Sequence, residues 1–540
     1  MNRPSTPLSL QLAALMLRLN GAHSPELERA VHMLCSALDA GHVCVPLTEL
    51  DQNAERSLRS CAVVGDAGEF KPMILDAGML YFERYWHHET GLAATLRTRA
   101  SAQDLKIDEK LLADGLRKYL ANADDAQRAA AENAVRRTFS VITGGPGTGK
   151  TRTATVVLAL IATQLAAQKK TARFALAAPT GKAAARLKDS LSAVLDTLQV
   201  PDEVRKILPA SASTLHRLLG GSSGSAEFRH NLSNPLPVDV LVVDEASMID
   251  LPMMARLFAA LRPDTQVLLL GDADQLASVE AGHVFGDICA SGLAGVSQLV
   301  RNYRFSEKSS IHRLSQAIRA GNVDAALAEL RTSSEDITAS ELPVSPALPA
   351  RIVAGFRQYL TLTEPHAALD AFGKFRILCA LRDGPSGVSH LNRLAMLALC
   401  DAGLLKNDSA YHKGMPLLVT RNDYQLRLFN GDIGLILPNE AGEMRAYFDE
   451  ETGVRDILPA RLPEHETAFA MTVHKAQGSE FDSILLMLPE RDSPVLSREL
   501  LYTAITRAKT NAEIWWSEPA LRAALARRAV RWSGLKARLA

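Results

Sequence analysis

GGPGTGKT, residues 144 to 151, lies between the apolar run FSVI and the long apolar stretch TATVVLALIATQLAA. Strand, glycine-rich turn and helix in that order are the context in which G-x-x-x-x-G-K-[ST] becomes a phosphate cradle. Gly144, Gly145, Gly147 and Gly149, with Pro146 and Thr148 between them, let successive backbone N–H groups point at one anion, and the helix N-terminus adds its partial positive charge. Lys150 reaches the β- and γ-phosphates of a nucleotide, the Thr151 hydroxyl suits Mg²⁺, and Arg152 belongs to the same binding segment. An α/β fold that takes ATP and Mg²⁺ is expected.

Outward from the loop, RFALAAPTG, DVLVVDEAS and QVLLLGDAD repeat the pattern of an apolar run ending at a polar turn, which suits a parallel sheet covered on both faces. Asp244 ends one such strand, where its carboxylate completes a Mg²⁺ shell through water, and the adjacent Glu245 is placed to orient or deprotonate the attacking water. Asp272 and Gln275 follow another, and the glutamine amide is placed to sense a γ-phosphate.

A second α/β set begins after TSSEDITASELPVSPALPA (332 to 350), whose Ser, Thr and prolines Pro343, Pro346 and Pro349 predict a linker or surface loop. FRILCAL reads as a buried strand and FAMTVHKAQGSEFDSILLML as two strands joined by a polar turn. Between them, MPLLVTRNDYQLRLFNGDIGLIL reads as inserted β-hairpin material. Residues 1 to 118 space Leu15 and Leu19, then Leu27, Val31 and Leu34, at helical intervals without a chemical motif, and are assigned to a separate helical domain.

Sixty Lys and Arg balance sixty Asp and Glu, so no overall positive field draws the chain onto nucleic acid, and any such site must be local. The length of 540 residues, 47% hydrophobic and 22% charged, suits several soluble domains of ~150 residues each. Six cysteines without a C-x-x-C pair argue against a disulfide framework or a zinc site and predict core thiols in a reducing compartment. No apolar run reaches about 18 residues, and LSLQLAALMLRLN is interrupted by Gln11, Arg18 and Asn20. No membrane partner is expected, and the cytoplasm is the default location.

In order, GGPGTGKT, APTGKAAARL (178 to 187), STLHRLLG (213 to 220), VVDEAS, GDADQL, NYRF (302 to 305), TVHKAQGSEFD (472 to 482) and YTAITRAK (502 to 509) resemble the motif series of superfamily 1 helicases. Within that superfamily the series looks most like the RecD family, the alpha chains of exodeoxyribonuclease V, over about residues 120 to 515. The resemblance implies two RecA-like P-loop lobes with parallel sheets, at 119–300 and 301–540, with a small SH3-like β insertion at 405–462. It implies an ATP-dependent 5′-to-3′ DNA helicase subunit of a helicase–nuclease complex acting in double-strand break repair and recombination. Gln127 is implied as the adenine reader and Tyr303 as a stacking surface. Arg304 and Arg507 are implied to reach the γ-phosphate from the second lobe, with Gly478 and Glu480 near the nucleotide sugar. Thr180 and His216 of the first lobe, with Thr472 and His474 of the second, are implied to line the single-strand track.

The implied partners are single-stranded DNA, duplex ends and larger RecB- and RecC-like subunits, to which the N-terminal domain would dock. The helix-hairpin-helix repeats of large relatives that work alone are not seen here, which favours the multi-subunit role. No compact Asp…Glu-x-Lys nuclease constellation is seen either, so cutting is assigned to another chain. Two rival readings stay open: a free-standing or RNA-directed motor, and an inactive scaffold. Against the scaffold stands the intact set Lys150, Thr151, Asp244, Glu245, Gln275, Arg304 and Arg507.

YTAITRAKT (502 to 510) reads as an amphipathic helix with Tyr502 and Ile505 inward, Arg507 projecting toward the interlobe cleft and Lys509 exposed. After Glu518 there is no acid, and Arg522, Arg527, Arg528, Arg531, Lys536 and Arg538 read first as a solvated helix face and tail. A DNA or partner contact is the alternative.

Overall fold

The computed structural model describes residues 6–51, 53–102, 104–221, 227–306, 308–332, 334–342, 347–406, 408–423, 425–450 and 453–540. Its N-terminal segment is helical, with Pro7–Asn20, Pro25–Asp39, Ala54–Arg59 and Glu83–Ala100. The first two helices begin where a hydroxyl caps them: Ser9 N donates to Thr6 Oγ1 (3.2 Å) and Leu27 N to Ser24 Oγ (3.2 Å), with proline in the first turn of each. The segment also holds a sheet that the sequence reading did not foresee: β1 (Val45–Pro46), β2 (Val64–Asp66), β3 (Met73–Asp76) and β4 (Met79–Phe82), ordered β1-β4-β3-β2. Strands this short carry no visible alternation. The Glu83–Ala100 helix is seated on the next lobe, where Leu92 and Leu96 share a core with Phe139, Val141 and Leu241. Arg99 fastens it there, donating to Thr265 O (2.8 Å) and Arg262 O (2.6 Å).

The first lobe is one parallel sheet of β5 (Phe139–Gly144), β6 (Phe174–Ala178), β7 (Ala212–Thr214), β8 (Val240–Val243), β9 (Gln266–Gly271) and β10 (Val296–Leu299), ordered β10-β5-β9-β8-β6-β7. β5, β8 and β9 are buried along their whole length, as central strands covered on both faces must be. The P-loop follows β5, Thr180 follows β6, Asp244 follows β8 and Asp272 follows β9, so all four emerge at the carboxyl edge, where open α/β sheets bind ligands.

The second lobe begins with β11 (Ile337–Glu341) and β12 (Phe375–Cys379). It is interrupted by β13 (Pro416–Val419), β14 (Ile433–Pro438), β15 (Met444–Glu450), β16 (Gly453–Ile457) and β17 (His465–Thr467), and resumes with β18 (Ala470–Thr472), β19 (Phe481–Met487) and β20 (Ala508–Trp516). The main sheet is parallel, ordered β11-β20-β19-β12-β18. The insertion is an antiparallel sheet, ordered β16-β15-β14-β13-β17, around its own core of Leu417, Val419, Ile436, Ala446 and Phe448.

Three expectations are corrected. The 332–350 stretch is not a linker throughout: Ile337–Glu341 is β11, paired with β20, and Pro349 lies in the first turn of helix Ala347–Leu360, where a missing N–H costs little. Pro343 and Pro346 lie outside the described residues. YTAITRAKT is divided: helix Arg498–Ile505 stops, and AKTNAEIWW is β20, with Lys509 on the strand 3.4 Å from Asp482. Two parallel neighbours, β11 and β19, impose strand geometry there whatever the local helical spacing. The end of the chain is not a solvated tail. After helix Glu518–Ala526 it returns to the first lobe, and helix Leu535–Leu539 buries both leucines in the core that holds Leu92 and Phe139. Arg538 finds its acids far upstream, Nε donating to Glu89 Oε1 (3.0 Å) and Nη2 to Asp76 Oδ2 (2.6 Å).

Among the described residues no helix is long and apolar enough to cross a membrane. The six cysteines are free, Cys35, Cys44, Cys61 and Cys379 buried and Cys289 and Cys400 half-buried.

Candidate active site

Between the strand ends of the first lobe and the second lobe lies a cavity of about 220 Å³. Its wall brings together Pro146, Gly147, Gly149, Lys150, Thr151 and Arg152 of the P-loop, Asp244, Glu245 and Gln275 of the neighbouring strand ends, Arg304, and Gly478, Glu480 and Arg507 of the second lobe. Gly144, Gly145 and Thr148 stand behind it. Thr148 Oγ1 donates to Gly145 O (2.8 Å), and Lys150 Nζ donates to Gly144 O (2.6 Å) and Gly145 O (3.2 Å). Gly147 and Gly149 take φ of 80° and 85°. There a Cβ would also collide, at 2.6 Å with Arg304 Cβ and at 2.5 Å with Gln127 Nε2.

A second cavity of about 550 Å³ opens beyond Gly149 and Arg152, which line both, and it is lined by Gln127 and Tyr303. Buried Gln127 donates Nε2 to Thr148 O (3.1 Å) and accepts at Oε1 from Tyr303 Oη (3.1 Å). Tyr303 is 45% exposed, so its ring is not core, and the Arg301 guanidinium lies 5.1 Å from its centroid.

Asn302, overlooked in the sequence, positions Arg304: its Oδ1 accepts from Arg304 N (2.9 Å) and Phe305 N (2.9 Å), and its Nδ2 donates to Pro146 O (2.8 Å). Arg304 Nη2 donates to both oxygens of Glu480 (2.9 Å each), while its Nη1 is buried without a partner. Arg186, also overlooked, pairs with Glu480 from the other side. The signal was available in helical spacing, since Ala183, Arg186, Leu187 and Ser190 form one cavity-facing stripe of the Gly181–Leu198 helix. Burial alone would raise the Glu480 carboxyl, but Arg186, Arg304 and Arg507 outweigh it and hold it below the usual range. Arg507 is 1% exposed, and its donors go to backbone: Nε to Thr503 O (3.1 Å) and Nη1 to Ser479 O (3.1 Å).

On the first lobe, burial and then the charge of Glu245 raise the Asp244 carboxyl, against the Glu245 N–H bond and the pull of Lys150 and Arg186. Glu245 itself has a left-handed backbone, φ 52°, a strained state for a side-chain-bearing residue, and its N–H donates to Asp244 Oδ1 (2.8 Å). Buried Asp272 accepts at Oδ2 from Gln275 Nε2 (3.0 Å) and from Tyr502 Oη (3.1 Å) of the second lobe. Leu276 N donates to Thr503 Oγ1 (2.9 Å), and Gln477 Nε2 donates to Leu276 O (2.9 Å). The residue beside Gln275 is thus bonded twice to the second lobe.

Thr151 and Asp244 bring a hydroxyl and a carboxylate to the same cavity. Among the described residues no cluster of three His, Cys, Asp or Glu side chains could hold a metal unaided. Such a pair fits a cation that completes its shell with phosphate oxygens and water, as Mg²⁺ does.

The expected strand contacts are more dispersed. Thr180 caps its helix, accepting from Ala183 N (3.2 Å), and lies across from Gly478, where a Cβ would be 3.8 Å from Thr180 Oγ1. Thr472 ends β18, and half-buried His474 follows it, its imidazole made less basic by burial and then by Arg531. His216 sits edge-on to Phe228, ring centroids 5.8 Å apart.

Residues 127–281 match the family model described as AAA domain, 467–513 that of the UvrD-like helicase C-terminal domain, and 5–57 that of the RecBCD enzyme subunit RecD, N-terminal domain. The chain is 40% identical to the RecBCD enzyme subunit RecD of Mycobacterium tuberculosis H37Rv, over 98% of this chain and 94% of that one. It is 40% identical to the protein of the same name from Mycolicibacterium smegmatis, over 99% and 97%. With the ATP-dependent RecD2 DNA helicase of Deinococcus radiodurans it shares 32% identity, over 80% of this chain and 54% of that one.

Proposed function

The chain belongs to the RecD family, and from that premise we propose that it is an ATP-driven motor stepping 5′ to 3′ along single-stranded DNA, within a helicase–nuclease complex of double-strand break repair. The observation that carries this is the convergence of Lys150, Arg304 and Arg507 with the P-loop on one cavity between the two lobes. Three cationic side chains brought to one cavity beside a helix N-terminus suit a polyanion such as a triphosphate.

With ATP in the cavity, the P-loop N–H groups and Lys150 take the β- and γ-phosphates, and Gln127 and Tyr303 hold the base in the adjoining cavity. Thr151 and Asp244 would hold Mg²⁺, which neutralises phosphate charge when bound. Glu245 orients and deprotonates the attacking water, and Arg304 and Arg507 neutralise the oxygens of the transferring phosphoryl group. Glu480 keeps Arg304 aimed, and Gly478 leaves room beside the sugar. Gln275 reads the γ-phosphate, and the bonds from Leu276 to Thr503 and Gln477 carry its position into the second lobe. The lobes close on ATP and open after hydrolysis, shifting a strand held by Thr180, His216, Thr472 and His474. RecB- and RecC-like chains are the proposed partners, the N-terminal segment their docking domain, and the cytoplasm the location. Duplexes carrying only a 5′ or only a 3′ overhang test the polarity in the complex, with the Lys150→Ala form as reference. Lys150-dependent unwinding should start from the 5′ overhang, and a requirement for the 3′ overhang would overturn it.

A further inference from the structure

Loop 276–282 leaves the cavity beside Gln275, and three of its carbonyls are held by one side chain from the far end of the chain. Arg531 Nη2 donates to Ser278 O (2.6 Å), and Nη1 donates to Glu280 O (2.7 Å) and Gly282 O (2.8 Å). Ser278 Oγ donates to Glu280 O (2.9 Å) and Gly282 O (3.1 Å), so the loop is drawn closed around the guanidinium. The N-terminal segment clamps the same place: Gly282 N donates to Gly41 O (2.9 Å), Trp532 N to His42 Nδ1 (2.9 Å) and Val43 N to Trp532 O (2.9 Å), with the His42 and Trp532 rings stacked at 4.1 Å. Gly41 is tightly fitted, since a Cβ there would stand 2.5 Å from Arg531 Cζ.

The clamp begins in the second lobe. Just upstream of Arg531, Ala529 N donates to Glu499 Oε2 (2.9 Å) and Arg527 pairs with Asp492 (2.8 Å). The loop is also linked to the segments that carry two proposed strand contacts. Leu276 O accepts from Gln477 Nε2 (2.9 Å), whose own N–H donates to His474 O (3.2 Å), and Ala281 O accepts from Leu251 N (3.1 Å) of the helix whose Arg256 lies over the Phe228 ring that stands edge-on to His216. On its outer side Val279 is 70% exposed.

We propose that Arg531 is a positioning residue that holds the 278–282 loop in the strand track, so that an arriving strand is felt at Gln275 and accelerates hydrolysis. This rests on the motor reading above. Without the guanidinium, three carbonyls lose charge-assisted donors, the loop samples more conformations, and a strand must order it on binding.

The test is ATP hydrolysis by the full chain in its complex, with and without single-stranded oligodeoxythymidylate, the Lys150→Ala form serving to subtract any partner motor. Arg531→Ala should keep basal hydrolysis and the KM for ATP within about twofold, while the ratio of DNA-stimulated to basal rate falls about tenfold and half-saturation needs more DNA. A purely structural role would lower the unfolding temperature and leave that ratio intact, which overturns the proposal. Arg531→Lys keeps the charge but spans the three carbonyls poorly, so its ratio should fall about threefold. If Arg531→Ala does not fold, a ratio for Arg531→Lys within about 1.5-fold of wild type overturns the proposal alone. Absence of DNA stimulation in the wild-type chain overturns the motor reading itself.

Discussion

At the interlobe cavity Arg304 keeps a buried nitrogen with no partner, and Lys150 and Arg507 rest on backbone carbonyls of their own surroundings. At the seam where the two ends of the chain meet, the charges are answered: Arg538 donates to Glu89 and Asp76, Arg531 donates to three carbonyls, and Glu89, fully buried, accepts from Tyr81, Ser533, Gly534 and Arg538. Both regions gather arginines from distant parts of the chain. Cationic side chains gathered on an open cavity are placed for something that comes and goes, whereas the Arg538–Glu89 pair, answered from within, belongs to the fold. Substitutions in the first region should therefore damage rate and spare stability, and breaking the Glu89–Arg538 pairing in the second should do the reverse, while Arg531, whose loop leads to Gln275, should alter the response to DNA.

The largest effect belongs to the cavity. Arg507→Ala should retain nucleotide affinity and lose DNA-stimulated turnover by about 10³-fold, because a planar guanidinium on the transferring phosphoryl oxygens is worth at least that much in related sites. Arg507→Lys should recover little, and Lys509→Ala, on β20 beside Asp482, should stay near wild type. Turnover in Arg507→Ala close to wild type would break the distinction on this side. Lys150→Ala should lose about 10²-fold or more in turnover with an unchanged unfolding temperature.

At the seam, Arg538→Ala strips an ion partner from a buried carboxylate and should lower unfolding stability by about 2 kcal/mol, modest for a buried pair because Arg538 is 20% exposed. Urea denaturation reads this, and basal turnover should not move. The smallest effect is a pH slope. Burial pushes the Asp287 carboxyl up to about 7, against a hydrogen bond from Ser533. The folded state then holds a proton that the unfolded chain, titrating near 3.8, releases. That stability is full at low pH and lost as pH rises through about 7. Asp287→Asn should flatten the fall in unfolding temperature between about pH 4 and 7. His42, lowered to about 4 by burial and Arg531, contributes a slope of opposite sign between about pH 4 and 6.5, so Asp287 is read from the difference between the wild-type and Asp287→Asn profiles.

The cavity was more legible in the sequence than the seam, for a physical reason. β5, β6, β8 and β9 each write an apolar run ending at a polar turn, and the order of the blocks was enough to gather Lys150, Asp244, Glu245, Gln275, Arg304 and Arg507 on one wall. What the blocks did not show was how those groups hold one another, such as Glu480 bridging Arg186 and Arg304, or Asn302 setting Arg304. The strands of the N-terminal sheet were too short to leave a pattern, and β20 was mistaken for helix because its identity comes from the strands on either side. The tail looked solvated because its acids lie 449 and 462 residues upstream, where no local charge pattern could point to them.

That the cavity's spare charge drives movement on DNA is tested most directly by ATP turnover of the complex, wild type against Lys150→Ala, with single-stranded DNA or RNA of equal length added. Turnover that depends on Lys150 should rise about tenfold or more with DNA and clearly less with RNA. No turnover attributable to Lys150, or a stronger response to RNA, would contradict it.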